Sequence, residues 1–223
     1  MQNYTVYHLH TELSLLDSCT NFKLYVDRAK ELGQTAICFT EHGNCYNWIE
    51  KKEYCEEQGI KYLHGVEVYL TKELYEYPEV PDEWYESHLG CNEKETQEEL
   101  SEFLEENKKK VRDNYHTVLI ARNYEGVKEI NTLLDKSTQE DHFYYKNRIT
   151  FDEFKNISDN VIKISACLAS PLNKLRDESL IQYYDYLEVQ PHVNSEEQKE
   201  YNQWLYQMSI KYNKPLIAGT DTH

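Results

Sequence analysis

The chain has 223 residues and a formal charge of −16, from 40 Asp or Glu against 24 Lys or Arg. That length suits one large α/β domain or two small ones, and no run of 18 apolar residues is present to span a membrane. The opening MQNYTVYHLH lacks both the basic and the apolar part of a secretory signal, and six scattered cysteines without a CxxC pair point to a reducing, cytoplasmic setting.

Residues 4–10 read as an extended start, followed by a polar turn and a helix over 21–32 that Gly33 stops. A short apolar strand is predicted over 35–40, then a helix over 46–58 ending at Gly59. Residues 61–70 read as a strand with Gly65 inside it. The next stretch is acidic: 73–106 holds 13 Asp or Glu and one Lys. It is expected to be part loop and part helix, the helix covering about 94–112. Beyond it the pattern gives strand 117–121, helix 124–135, strand 161–165 and a short helical segment from Pro171. Strand 184–189, helix 195–212 and strand 215–219 end the chain. About seven strand–helix alternations argue for a parallel sheet or a barrel.

Most of the negative charge sits in the acidic segment. Outside it, 27 acids face 23 bases, so a phosphate-bearing substrate is not excluded. Residues 71–113 read as an elaboration, a solvated acidic helix and loop. The sequence lacks any obvious basic, aromatic single-strand-binding stripe; the 20 tyrosines are dispersed.

A set of metal-competent side chains recurs along the strands. His8 and His10 stand two apart on an extended segment, so both can reach one ion. Asp17 follows in SLLD, and His42 in EHGN directly after an apolar strand. Glu67 lies between Val66 and Val68, and a carboxylate in so apolar a strand needs a partner or a metal. His116, Cys167, Asp221 and His223 come next, each at a strand end. His116 fits least well, because it opens its strand rather than closing it. Imidazole, carboxylate and thiolate together suit zinc, manganese or iron. A lone histidine is more often a core or surface residue, and His64, His88, His142 and His192 are read that way. So are Cys19, Cys38, Cys45, Cys55 and Cys91, as small buried hydrophobes or incidental thiols. The ordered set of nine is harder to explain so.

Eight segments carry a family resemblance. YHLHTELSLLDS, TEHGN, GVEVYL, HTVLIARNYEGVKEINTL, FYYKNRIT, VIKISACLAS, YLEVQPH and PLIAGTDTH occur in this order. They resemble the PHP domain at the N-terminus of bacterial polymerase III α-subunits, the C-family replicative DNA polymerases. The resemblance covers nearly the whole chain except about 75–112. It implies an α/β fold, a distorted seven-stranded (β/α)7 barrel with an acidic insertion, and an N-terminal piece of a longer polymerase. It also implies two or three divalent ions. His8, His10, Glu67 and Asp221 hold one. Glu67 bridges to a second with His116 and Cys167. Asp17, His42 and His223 hold a third. Glu41, Ser18 and Thr220 stand where the family usually has Asp, Gly and Asn, which bears on hydrogen bonds around the ligands rather than on the ligands.

Closely spaced divalent ions suit phosphoester hydrolysis, since they acidify water and neutralise charge on phosphate. The resemblance implies 3′→5′ exonuclease proofreading on a DNA 3′ end. Asp17 or His223, beside the third ion, is the candidate to manage the proton on water or leaving group. Two alternatives stand beside it. One is a stand-alone phosphatase for a small phosphomonoester; the other is a metal-stabilised structural domain that braces a polymerase or docks a proofreading subunit.

Overall fold

In the computed structural model, which describes residues 4–192 and 195–223, regular structure begins with helix α1 (Phe22–Glu31). Phe22, Val26 and Ala29 recur at helical spacing and are buried, and the Asn21 side chain caps the first turn by accepting from Lys23 N. β1 (Ala36–Phe39), α2 (Trp48–Glu57) and the long β2 (Lys61–Thr71) follow. β3 (Tyr75–Glu76) then leads through α3 (Asp82–Ser87) and α4 (Glu93–Asn107) to β4 (Lys109–Lys110), which pairs back onto β3. The chain continues with β5 (Tyr115–Ala121), α5 (Tyr124–Ser137), β6 (Arg148–Thr150), α6 (Phe151–Lys155) and β7 (Val161–Ile164). It ends with α7 (Pro171–Leu175), a 3₁₀ turn (Glu178–Tyr183), β8 (Leu187–Val189), α8 (Glu196–Tyr212) and β9 (Leu216–Ala218). Among the described residues, no helix is long and apolar enough to cross a membrane.

Strand contacts lead from the N-terminal segment round to the C-terminal one. Cys38 N and Thr40 N donate to the carbonyls of Val6 and Leu9. β1 pairs in parallel with β2, and β5 lies between β2 and β7. Ile164 bridges Tyr186, β8 pairs in parallel with β9, and Leu9 bridges Thr222. β6 adds a parallel partner along the end of β2.

The expectation of a parallel sheet is corrected at β5, which runs antiparallel to both neighbours. A parallel partner needs a crossover that carries the chain back to the starting end. The excursion instead folds on itself through β3 and β4 beside the end of β2, so β5 starts where β2 finishes. The first residues of β5 therefore share an end with the last residues of β2, and His116 opens its strand at the same mouth that His42 closes.

Three apolar clusters fill the fold. Val66, Val68, Leu70 and Leu119 pack outward with residues of α5 to α8, including Ile130, Leu172, Tyr201 and Leu205. Leu9, Ile37 and Phe39 pack under α1 and α2 with Phe22, Val26 and Cys55. Tyr7, Cys38, Val118, Ile120 and Ile164 form the third. Side chains alternate along a strand, so Val66 and Val68 face outward while Glu67, directly opposite Val118, faces inward.

Several boundaries differ from expectation. The helix predicted over 94–112 stops at Asn107, because Lys109 and Lys110 pair with β3. The strand predicted over 184–189 is shortened to Leu187–Val189, with a 3₁₀ turn before it. β6 and α6 were not anticipated. Three residues are too short for a visible alternation, although the Thr150–Glu153 capping box marks where the helix starts.

Candidate metal centre

His8 and His10 lie on the extended N-terminal segment and are fully buried. Their Nε2 atoms stand 3.1 and 3.3 Å from Asp221 Oδ1, and His8 Nε2 is 3.2 Å from Glu67 Oε1. Glu67, also fully buried, meets two more rings. His42 Nδ1 is 2.8 Å from its Oε2 and His116 Nδ1 is 3.0 Å from its Oε1. Toward solvent, Asp17 Oδ2 lies 2.6 Å from His42 Nε2 and 2.7 Å from His223 Nε2. Cys167 Sγ is 3.7 Å from His116 Nδ1.

The nine residues singled out in the sequence thus lie together. Three subsets have mutually close ligand atoms: His8, His10, Glu67 and Asp221; His42, Glu67 and His116; and His10, His42 and His223. The first is the set implied for one ion. The other two differ from the implied sets, because His42 faces Glu67 as well as Asp17. Cys167 and Asp17 stand beside these subsets rather than within them.

The chemistry of the donors fits a cation. Seven buried side-chain polar atoms lack a hydrogen-bond partner among the described residues, and five are here: Nε2 of His8 and His10, Nδ1 of His42 and both carboxylate oxygens of Glu67. Each such atom costs about 1–3 kcal/mol if unmet. A metal ion answers nitrogen lone pairs and carboxylate oxygens at once. The backs of the rings support this. His8 Nδ1 donates to Glu188 at 2.8 Å and His10 Nδ1 to Ser14 Oγ at 3.1 Å, which leaves each Nε2 as an inward lone pair.

Electrostatics point the same way. Burial opposes the charge on Glu67, yet the adjacent His116 and His8 hold its carboxyl well below the usual carboxylate range. Burial likewise opposes a charge on His8, but Glu188, Asp221 and Glu67 raise it well above the usual imidazole value. Burial, with Glu67 and Asp221 adding to it, pushes the Cys167 thiol up, and a bound metal would reverse that.

Two carboxylates support the cluster from behind: Glu188, which was not foreseen, and Glu41, which the sequence had placed among the hydrogen bonds around the ligands. Glu188 is buried, holds His8 and accepts from Tyr7 Oη at 2.9 Å. Its signal was available in YLEV, a carboxylate between apolar strand residues just as at Glu67. Gly219 makes room for it, since a Cβ there would stand 2.3 Å from Glu188 Cδ. Glu41 accepts from Thr11 N, Thr11 Oγ1, Ser14 Oγ and the buried Lys51 ammonium at 2.6 Å. Ser14 Oγ in turn accepts from His42 N, so Glu41 braces the backs of His10 and His42.

The backbone is strained at the same end. Leu16, Ala166 and Asp221 adopt left-handed φ of 67°, 60° and 46°, beside Asp17, beside Cys167 and at a ligand candidate itself. Such residues cost about 1–3 kcal/mol each and gather at functional sites. The remaining histidines contrast with the cluster. His142 has both nitrogens on carboxylates of Asp141 and Glu153, and His64 has both on Tyr62 and Asn131.

Strand ends thus gather histidines and carboxylates into one cluster compatible with metal binding on an α/β domain. The chain belongs to the PHP domain family, which it matches over residues 7–216. It is similar to DNA polymerase III subunit alpha of Aquifex aeolicus, 28% identical over 230 residues that cover 97% of this chain and 18% of that protein. The same subunit of Treponema pallidum is 26% identical over 97% of this chain and 17% of its own, and that of Helicobacter pylori strain 26695 is 28% identical over 99% and 18%. The chain therefore spans about 18% of the length of these relatives. Among solved structures, a protein from Bifidobacterium adolescentis assigned as a metal-dependent phosphoesterase shares the fold, with TM-score 0.59 and 14% identity over 98% of this chain and 87% of that one. An amidohydrolase from Chromobacterium violaceum has TM-score 0.52 and 10% identity over the same shares.

Proposed function

We propose that this chain is the phosphodiester-hydrolysing PHP module of a polymerase III α-like protein, acting 3′→5′ on a DNA 3′ end. The observation that supports this reading is the clustering of buried histidine and carboxylate atoms, five of them without a hydrogen-bond partner, in three overlapping sets of mutually close ligand atoms. We read the strand contacts as a distorted seven-stranded barrel and residues 71–113 as an elaboration on it. Two or three ions, zinc, manganese or iron, would be held by His8, His10, Glu67 and Asp221, by His116 and Cys167 with Glu67, and by Asp17, His42 and His223. When bound, they would supply Lewis acidity to a phosphoester and its attacking water.

The chain's own residues do the positioning. Glu188 and Ser14 fix the rings of His8 and His10 from behind. Asp17, with its side chain 44% exposed, stands at the rim between His42 and His223. We assign Asp17, through the carboxylate oxygen that is not on the ion, as the group that takes the proton of the attacking water and passes it on to the leaving oxygen, with His223 holding Asp17 in place.

The test is release of nucleotides from labelled single-stranded and mismatched 3′ ends, with manganese or zinc. EDTA abolishes it, and so does Asp17→Asn, which keeps the shape and removes the anion. The competing substrates are p-nitrophenyl phosphate and histidinol phosphate. If kcat/KM for a free monoester exceeds that for a DNA end by more than about a hundredfold, about 2.7 kcal/mol of transition-state binding, the phosphatase reading replaces this one.

A further inference from the structure

A groove leaves the metal centre on one side. It opens at His42 as a cavity of about 590 Å³, walled by Leu15, Tyr46, Tyr69 and Phe143, with Tyr145 and Lys146 at its far end. Those last two residues also line the next hollow with Arg112 and Tyr144. Arg112 and Tyr144 in turn border a third, flanked by Lys109 and Lys110. These residues come from five separate stretches of sequence, which is why no stripe is visible along the chain.

Charge and shape distinguish this path from the rest of an acidic surface. Among the described residues, none of Lys109, Lys110, Arg112 and Lys146 is paired with a carboxylate; Glu76 alone adds an acid, at the outer end. Lys110 donates to the carbonyls of Glu140 and Phe143, which ties the aromatic loop to β4 and leaves its charge uncompensated. Lys146 Nζ donates to Tyr69 Oη at 2.6 Å, and the Tyr69 ring stacks 5.9 Å from His42. Tyr145 is 75% exposed, with Arg112 5.6 Å from its ring centre. Its φ of 58° is left-handed, an unfavourable backbone for an aromatic residue that stays mostly exposed.

We propose that this groove holds single-stranded nucleic acid, with an unpaired base on Tyr145 and backbone phosphates on Lys146, Arg112 and Lys110, and leads its end to the metal centre. The last clause rests on the phosphoesterase reading; the groove itself does not. Exposed aromatic faces take up unpaired bases, whereas a duplex keeps its bases stacked inside. Lysine and arginine free of carboxylates take phosphates and release counterions.

The test uses the whole chain and a short fluorescent oligothymidylate with phosphorothioate linkages at its 3′ end, read by anisotropy against salt. Tyr145→Ala weakens binding at least fivefold, and Tyr145→Phe restores it, because only the ring face is needed. Arg112→Gln weakens binding and lowers the slope of log affinity against log salt by about 0.7. Both variants keep the wild-type metal content and unfolding temperature. Unchanged affinity in Tyr145→Ala and Arg112→Gln overturns the groove, as does duplex DNA binding as tightly as the single strand. Hydrolysis of bis(p-nitrophenyl) phosphate by the wild-type chain is read separately. If it is absent while the variants still lose binding, the phosphoesterase reading falls and the groove stands. If it is present while binding ignores the variants, the groove alone falls.

Discussion

Carboxylates occupy two contrasting regions of this molecule. At the candidate metal centre, Glu41, Glu67 and Glu188 are buried, and each meets a histidine or a lysine. In α3 and α4 no residue is buried, although the sequence there is at its most acidic. These helices are held to each other by a small surface contact: His88 stacks on Trp84 at 3.9 Å and reaches Glu99 at 2.7 Å. Charges exposed to water act over roughly 8 Å in physiological salt, and buried ones are screened far less. The larger number of acids therefore says little about what the site can bind. The few buried ones carry that information, and each carries it through a named partner.

The contrast is broken or sharpened most strongly at Glu67. Glu67→Ala should remove most of the bound metal and destabilise the fold by about 3–5 kcal/mol, as expected when one member of a buried charged set is removed. His88→Ala should leave metal content unchanged. Thermal unfolding and elemental analysis of both variants decide it, and equal behaviour would erase the distinction between the regions. A smaller effect is expected one step out from the ligands. Glu188→Gln keeps the shape but weakens the hold on His8, so metal affinity should fall about 10–100-fold in a competition titration with a chelator. Gly219→Ala should act in the same direction by displacing Glu188.

Glu153 is an intermediate case. Burial would raise its pKa, but the Lys136 ion pair, Thr150 N–H and His142 bring it down to about 2. A carboxyl with a lowered folded value adds stability above its unfolded pKa of about 4.3 and loses it as pH falls through the folded one. Glu153→Gln should therefore lower the unfolding temperature at pH 7, by a margin that shrinks below about pH 4.3 and closes toward about 2. A margin constant across that range would contradict it. The smallest effect belongs to the excursion. Replacing residues 73–106 with a short Gly/Ser bridge should leave the metal count unchanged, and metal lost from a folded variant would give that segment a role it lacks here.

Much of this was legible before the structure, for identifiable reasons. Gly33 and Gly59 marked helix ends, and both take left-handed backbone there. The nine metal-competent residues stood out by order, and they lie together. His116 looked misplaced only because strand direction is invisible in sequence; an antiparallel β5 brings it to the mouth. Glu188 was missed although the rule that picked out Glu67 applies to it. The groove was beyond reach, because Tyr46, Tyr69, Arg112 and Tyr145 become neighbours only when the loop after β1, strand β2, the segment after β4 and the loop before β6 pack together.

The central claim is that the buried cluster is a metal centre, and metal stoichiometry tests it most directly. The protein should be reconstituted separately with zinc, manganese and iron, freed of excess ion and measured by elemental analysis beside Glu67→Ala. The account predicts two or three equivalents in the wild type and a loss of most of them in the variant. Less than one equivalent of the three metals combined in the wild type would contradict it.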